Sequence, residues 1–88
     1  MHEFRLSSGQ TIKLRAAHRR AKKKRDADRI KAIVLLSQGW TYVQVAQALL
    51  IDEETIRNYL KRFIDSGLKG LLADNYKGKE SKLSIKEL

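Results

Sequence analysis

The chain has 88 residues and a formal net charge of +9 at pH 7, with 19 Lys and Arg against 10 Asp and Glu. This length allows one small domain, with a core near the lower limit for independent stability. The absence of cysteine excludes disulfides and thiolate metal sites, and no apolar run is long enough for a signal peptide or a membrane span. We therefore expect a cytoplasmic protein.

The first fourteen residues allow two interpretations. Apolar residues alternate around the sequence SSGQ at residues 7–10, which could form a β-hairpin. Alternatively, a helix covers about residues 11–24, because Leu14, Ala17 and Ala21 keep helical spacing without a turn signal. We favour the helix.

Positive charge is concentrated between Lys13 and Lys31, where ten Lys and Arg against two Asp give +8. Such a field attracts polyanions, namely DNA, RNA or an acidic membrane surface. The densest part, called the basic segment below, consists of Arg19, Arg20, Lys22, Lys23, Lys24 and Arg25. As a helix it would be basic on every side and would lack a bulky apolar face, which disfavours a membrane helix. A solvated helix face is the alternative to nucleic-acid binding.

The next predicted helix begins with Asp26 as its N-cap, and Asp28 in the first turn favours the positive end of the helix dipole. Gly39 ends this helix as the left-handed residue of a Schellman motif, which folds Trp40 back onto the last turn. Thr41 and Gln44 then form the T-x-x-Q pattern of a capping box.

Residues 41–63 predict two short amphipathic helices joined by a tight turn, which is a helix-turn-helix. The inward positions are Val45, Ala46 and Leu49 in the first helix and Ile56, Tyr59, Leu60 and Phe63 in the second. Ala46 is small enough for the helices to cross closely. Asp52 caps the second helix after a turn at residues 50–52, and Gly67 ends it.

These elements predict an all-α fold: a small, homeodomain-like helix-turn-helix bundle of three to four helices with a basic N-terminal helix and a C-terminal linker. The predicted core is Ile30, Ile33, Val34, Trp40, Val45, Leu49, Ile51, Ile56, Tyr59, Leu60 and Phe63. The predicted divisions are a flexible arm at residues 1–10, a DNA-binding domain at residues 11–72, and a linker with the start of a truncated further helix at residues 73–88.

The outward face of the second motif helix carries the candidate base contacts. Arg57 can bind guanine bidentately, Asn58 can bind adenine, and Glu54 can accept from cytosine or stabilise the helix dipole. The alternative is that they are ordinary exposed residues. The candidate phosphate contacts are Tyr42, Thr55, Lys61 and Arg62, together with the basic segment.

The run from Lys24 to Gly78 resembles the N-terminal DNA-binding region of bacterial insertion-sequence transposases of the mariner-like superfamily. The matching pieces are ADRIKAIVLLSQG, IDEETIRNYL, SGLKGLL and the Tyr-Lys-Gly at residues 76–78. The resemblance implies binding to the terminal inverted repeats of the element, with a second helix-turn-helix and a metal-dependent catalytic domain after Leu88. This chain has Leu50 where the motif usually has glycine, so either the turn is wider or Leu50 covers a hydrophobic patch.

The sequence therefore predicts a sequence-specific module for double-stranded DNA in the cytoplasm, associated with the nucleoid, as the N-terminal domain or remnant of a transposase. The alternatives are a free-standing regulator or antitoxin, and a basic module that binds RNA or protein. We expect no catalytic activity, cofactor, metal, small-molecule ligand or membrane partner, and consider a homodimer. The acidic residues at the start of the second motif helix are explained by the helix dipole.

Overall fold

The computed structural model describes residues 4–73, and the predictions for residues 1–3 and 74–88 lie outside this range. The chain forms four helices, α1 (Ser8–Arg20), α2 (Lys24–Ser37), α3 (Tyr42–Leu49) and α4 (Glu53–Leu72), and residues 4–73 contain no strand. Helix α2 packs against the other three helices, and α3 also packs against α4. The predicted all-α helix-turn-helix bundle is confirmed.

The core lies where α2, α3 and α4 meet, and Leu14 joins it from α1. The buried residues are Leu14, Ile30, Ala32, Ile33, Leu36, Val45, Ala46, Leu49, Ile56, Tyr59, Leu60 and Leu71. Fully burying a large aliphatic side chain contributes roughly 1.5–3 kcal/mol before the entropy of ordering is subtracted. The prediction was wrong for Trp40, which is 37% exposed. Its ring lines a surface cleft with Gln44 and Gln47, because Gly39 turns the chain outward there.

Helix α1 begins three residues earlier than predicted, and the hairpin interpretation was wrong. Ser7 is the N-cap: its hydroxyl accepts from the backbone N–H of Gln10 at 3.1 Å, and the Gln10 side chain accepts from the backbone N–H of Ser7 at 3.0 Å. The preceding residues pack onto the bundle. The rings of Phe4 and Phe63 meet edge to face at 6.1 Å, and Arg5 donates to the Ser37 carbonyl at 3.1 Å. From Phe4 onward, these contacts differ from the free arm predicted for residues 1–10.

The basic segment is not one continuous helix. Helix α1 ends at Arg20, where Ala21 takes an extended conformation, φ −66° and ψ 129°, and α2 starts at Lys24 with Lys23 as its N-cap. The predicted N-cap Asp26 instead lies in the first turn of α2. This break lets α1 turn back, so that Leu14 reaches the core.

The junction between α2 and α3 has the predicted geometry. Gly39 has φ +97°, its N–H donates to the Leu36 carbonyl at 3.1 Å, and the N–H of Trp40 donates to the Leu35 carbonyl at 3.3 Å. These two bonds are those of a Schellman motif. Thr41 and Gln44 then form the predicted capping box of α3.

Candidate nucleic-acid interface

The turn between α3 and α4 fixes how the two motif helices cross. Leu50 adopts the left-handed conformation, φ 58° and ψ 46°, and the N–H of Ile51 donates to the Ala46 carbonyl at 3.0 Å. The side chain of Leu50 is 91% exposed, so it covers no hydrophobic patch, and the turn has the backbone conformation that glycine would give it. Both alternatives for this position were therefore wrong. Ala46 is buried at the crossing, as predicted.

Helix α4 has one buried and one exposed face along its first three turns. Ile56, Tyr59 and Leu60 are buried, whereas the polar residues Glu54, Arg57, Asn58 and Lys61 are exposed. Asp52 has the extended backbone of an N-cap, but its side chain makes no capping hydrogen bond. Ile64, one turn beyond Lys61, is 64% exposed on this outward face.

Arg57 connects α4 to the start of α3. Its Nη2 donates to the Glu53 carboxylate at 2.5 Å, and its Nη1 lies 3.7 Å from a carboxylate oxygen of Glu54. The guanidinium also lies over the ring of Tyr42, 5.0 Å from the ring centroid. Tyr42 is half-buried in the first turn of α3, so one surface combines the beginnings of both motif helices.

Arg62 lies in a different environment from Arg57. Its guanidinium is partly buried and donates to the Gly70 carbonyl at 3.2 Å and to the Ala73 carbonyl. Arg29 of α2 donates to the neighbouring Leu71 carbonyl at 3.2 Å. Together the two arginines bind the carbonyl end of α4, where cations are favoured by the helix dipole. Arg62 therefore holds the last turn of α4 in place.

These contacts follow a change of direction at Gly67. As predicted, the helix is broken there, because Gly67 has φ 68° and ψ −158°. Helical structure then resumes and continues to Leu72, which places Leu71 in the core.

All six side chains of the basic segment are exposed, around the connection between α1 and α2. Arg19 and Arg20 lie in the last turn of α1, where the helix dipole favours cations. Lys24 pairs with Asp28 at 2.8 Å, and Arg25 pairs with Asp26 at 3.2 Å. These carboxylates neutralise part of the charge, and the remainder forms a compact positive surface beside the helix-turn-helix.

The structure brings together Arg57, Glu54 and Tyr42, whose joint contact the sequence analysis did not predict. Glu53, the hydrogen-bond partner of Arg57, was interpreted only through the helix dipole. Its role was detectable in the sequence, because a Glu four residues before an Arg is a favourable helix pair. The contact between Tyr42 and Arg57 was not detectable, since it depends on the angle at which α3 and α4 cross.

Within residues 4–73, no helix combines the length and the apolar character needed to cross a membrane. In the same range, His, Asp and Glu side chains form no group of three or more that could hold a metal ion.

The winged helix-turn-helix family model matches residues 29–87 of the chain. The matched stretch includes most of α2 and all of α3 and α4, whereas α1 and the basic segment precede it. No curated protein and no solved structure matches the chain. Because the family match extends over more than half of the chain and includes the helix-turn-helix seen in the structure, the chain belongs to the winged helix-turn-helix family of DNA-binding domains.

Proposed function

We propose that the chain recognises a specific sequence in double-stranded DNA by placing the exposed face of α4 in the major groove. The observation that carries this proposal is the division of α4 into a face buried in the core and a polar face carrying Arg57, Asn58 and Lys61. An α-helix fits the major groove, where each base pair presents a distinct pattern of donors and acceptors. The buried face keeps the helix rigid while the outer face meets the bases.

The proposed base contacts are Arg57 to guanine, Asn58 to adenine and Glu54 to cytosine. A good bidentate pair contributes about 1–3 kcal/mol of discrimination against the wrong base. Lys61, Thr55 and the hydroxyl of Tyr42 would contact phosphates and set the position of α4 in the groove. Arg62 is left out of this set, because its guanidinium binds the carbonyls at the end of α4.

The basic segment would supply contacts to phosphates that do not depend on base sequence. Its six exposed cations lie outside the stretch matched by the family, so they add to the common helix-turn-helix module. Since Asp26 and Asp28 already pair with two of these cations, we expect contact with roughly two to four phosphates, each neutralised charge contributing to the salt dependence of binding.

The proposed target is the terminal inverted repeat of a transposable element, with this chain as the DNA-binding part of a transposase or its remnant. The support is the resemblance of residues 24–78 to mariner-like insertion-sequence transposases. In this role the domain would act on nucleoid DNA in the cytoplasm, without catalysis of its own, and two copies would bind paired repeats. Inverted repeats and a reading frame for an acidic catalytic domain beside the gene would support this role. An isolated gene that binds an operator would favour a regulator.

The decisive experiment selects bound duplexes from a random library and then compares variants on the selected duplex and on a scrambled one. Arg57→Ala and Asn58→Ala should each weaken specific binding by about 1–3 kcal/mol and leave non-specific binding nearly unchanged. Lys69→Ala is the control, because Lys69 is exposed on α4 beyond Gly67. Equal losses on both duplexes would show that the two residues contact phosphate. Failure to select any preferred sequence would refute sequence-specific binding.

A further inference from the structure

Arg57 is held in place by its neighbours, although it lies on an exposed helix face. Glu53 accepts a hydrogen bond from Nη2, and the Tyr42 ring lies under the guanidinium at 5.0 Å. The Arg57 side chain is still 49% exposed. A guanidinium has five N–H donors, and the bond to Glu53 uses one of them. The remaining donors include a pair that can bind a guanine edge bidentately.

We propose that Glu53 and Tyr42 are positioning residues that determine how strictly Arg57 selects guanine. Glu53 fixes the direction of the guanidinium fork by binding one corner of it. Tyr42 fixes its plane by lying against one face. This inference rests on the proposed base contact of Arg57, and it gives Glu53 and the Tyr42 ring roles beyond the helix dipole and a phosphate contact.

The physical reason is preorganisation. A free arginine side chain loses rotamer freedom when it binds, and this loss opposes binding. A guanidinium already held in one orientation loses less, and it cannot turn to the nearest phosphate instead. The contacts with Glu53 and Tyr42 therefore favour the bidentate contact over non-specific alternatives.

The charge of Glu53 makes the inference sharply testable. Asp52, Glu53 and Glu54 give the beginning of α4 a cluster of negative charge on the side proposed to meet DNA. If Glu53 acted only as a surface charge, removing it would strengthen binding to every duplex, because carboxylates repel phosphates. If Glu53 positions Arg57, its removal must lower the preference for the selected site. The two roles therefore predict different changes in the ratio of specific to non-specific affinity.

The first experiment measures this ratio for Glu53→Gln on the selected and scrambled duplexes. We expect the ratio to fall about three- to tenfold, the effect of one rotamer-rich side chain that must be ordered on binding, while affinity for the scrambled duplex holds or rises. Asp52→Asn is the matched control. It removes the same charge from the same helix end, and the Asp52 side chain makes no capping bond. Its ratio should equal that of the parent. A ratio equally unchanged in Glu53→Gln would overturn the inference.

The second experiment tests the ring of Tyr42. Tyr42→Phe keeps the ring under Arg57 and should retain the ratio, whereas Tyr42→Leu should lower it. Thermal melting by circular dichroism sets a common measuring temperature at which all variants are folded. An equal loss in the Phe and Leu variants on both duplexes would assign Tyr42 to phosphate binding through its hydroxyl and would overturn its positioning role.

The Arg57→Ala background separates this inference from the proposed function. There, Glu53→Gln should cause no further change in the ratio, since the side chain it positions is absent. If Arg57→Ala alone leaves the ratio at the parental value, Arg57 reads no base and both proposals fail. If Arg57→Ala lowers the ratio but Glu53→Gln does not, the base contact stands and only the positioning role is overturned.

Discussion

Replacing Leu50 by glycine should stabilise this domain. Leu50 has φ 58° and ψ 46°, a conformation that costs a residue with a Cβ about 1–2 kcal/mol. Glycine removes this cost but loses more backbone entropy on folding, by roughly 0.5–1 kcal/mol. Because the Leu50 side chain is 91% exposed, its removal sacrifices little burial. The net gain should be about 0.5–1 kcal/mol, which for a domain of this size raises Tm by about 2–8 °C.

Urea unfolding followed by far-ultraviolet circular dichroism measures this gain as a higher midpoint with an unchanged slope. Leu50→Ala is the matched control, because it removes the same exposed side chain but keeps the Cβ and the strained backbone. The alanine variant should stay within about 0.5 kcal/mol of the parent. A glycine variant no more stable than the alanine variant would show that the left-handed turn is not under strain and would refute the reasoning.

Three further variants test the fold and the charge distribution. Ile56→Asp should leave the domain unfolded by circular dichroism at room temperature, because burying an unpaired carboxylate adds to the loss of roughly 1.5–3 kcal/mol of side-chain burial; a parental melting curve would contradict the core assignment. Gly67→Ala should lower the free energy of unfolding by about 1–3 kcal/mol, because the backbone region at φ 68°, ψ −158° is almost restricted to glycine, while Gly9→Ala at an open helical position should not destabilise the domain. Replacing the basic segment with glutamine should weaken binding to all duplexes alike and reduce the slope of log affinity against log salt by about 0.9 per phosphate lost, whereas Arg62→Gln should lower stability and leave that slope unchanged; the opposite result would return Arg62 to the phosphate contacts.

The helix-turn-helix was predictable because its signals are local. The Schellman geometry at Gly39, the capping box of Thr41 and Gln44, and the spacing of buried residues in α3 and α4 each depend on a few neighbouring residues. The start of α1 depended on the same kind of signal. Ser7 and Gln10 repeat the pattern of Thr41 and Gln44, so the true start was present in the sequence and was overlooked.

Other features depend on tertiary structure and had no local signal. Nothing in the run of cations marks a helix break at Ala21, which arises because α1 must fold back onto α2. The exposure of Trp40 depends on where the chain leaves α2. The guanidinium of Arg62 turns to the carbonyls of Gly70 and Ala73 only because Gly67 redirects the chain. For the same reason, its neighbours in sequence could not reveal its role.

The distribution of charge separates the affinity of this domain from its selectivity. The helix-turn-helix at residues 41–63 has three acidic and three basic residues and is therefore neutral, whereas residues 13–31 supply +8. Attraction to DNA in general must then come from the region around the connection between α1 and α2, and added salt weakens it. The neutral motif adds little to this attraction, and its carboxylates oppose contacts with phosphate alone. A motif of this composition gains energy only where its donors meet matching base edges, so its main effect is discrimination between sequences.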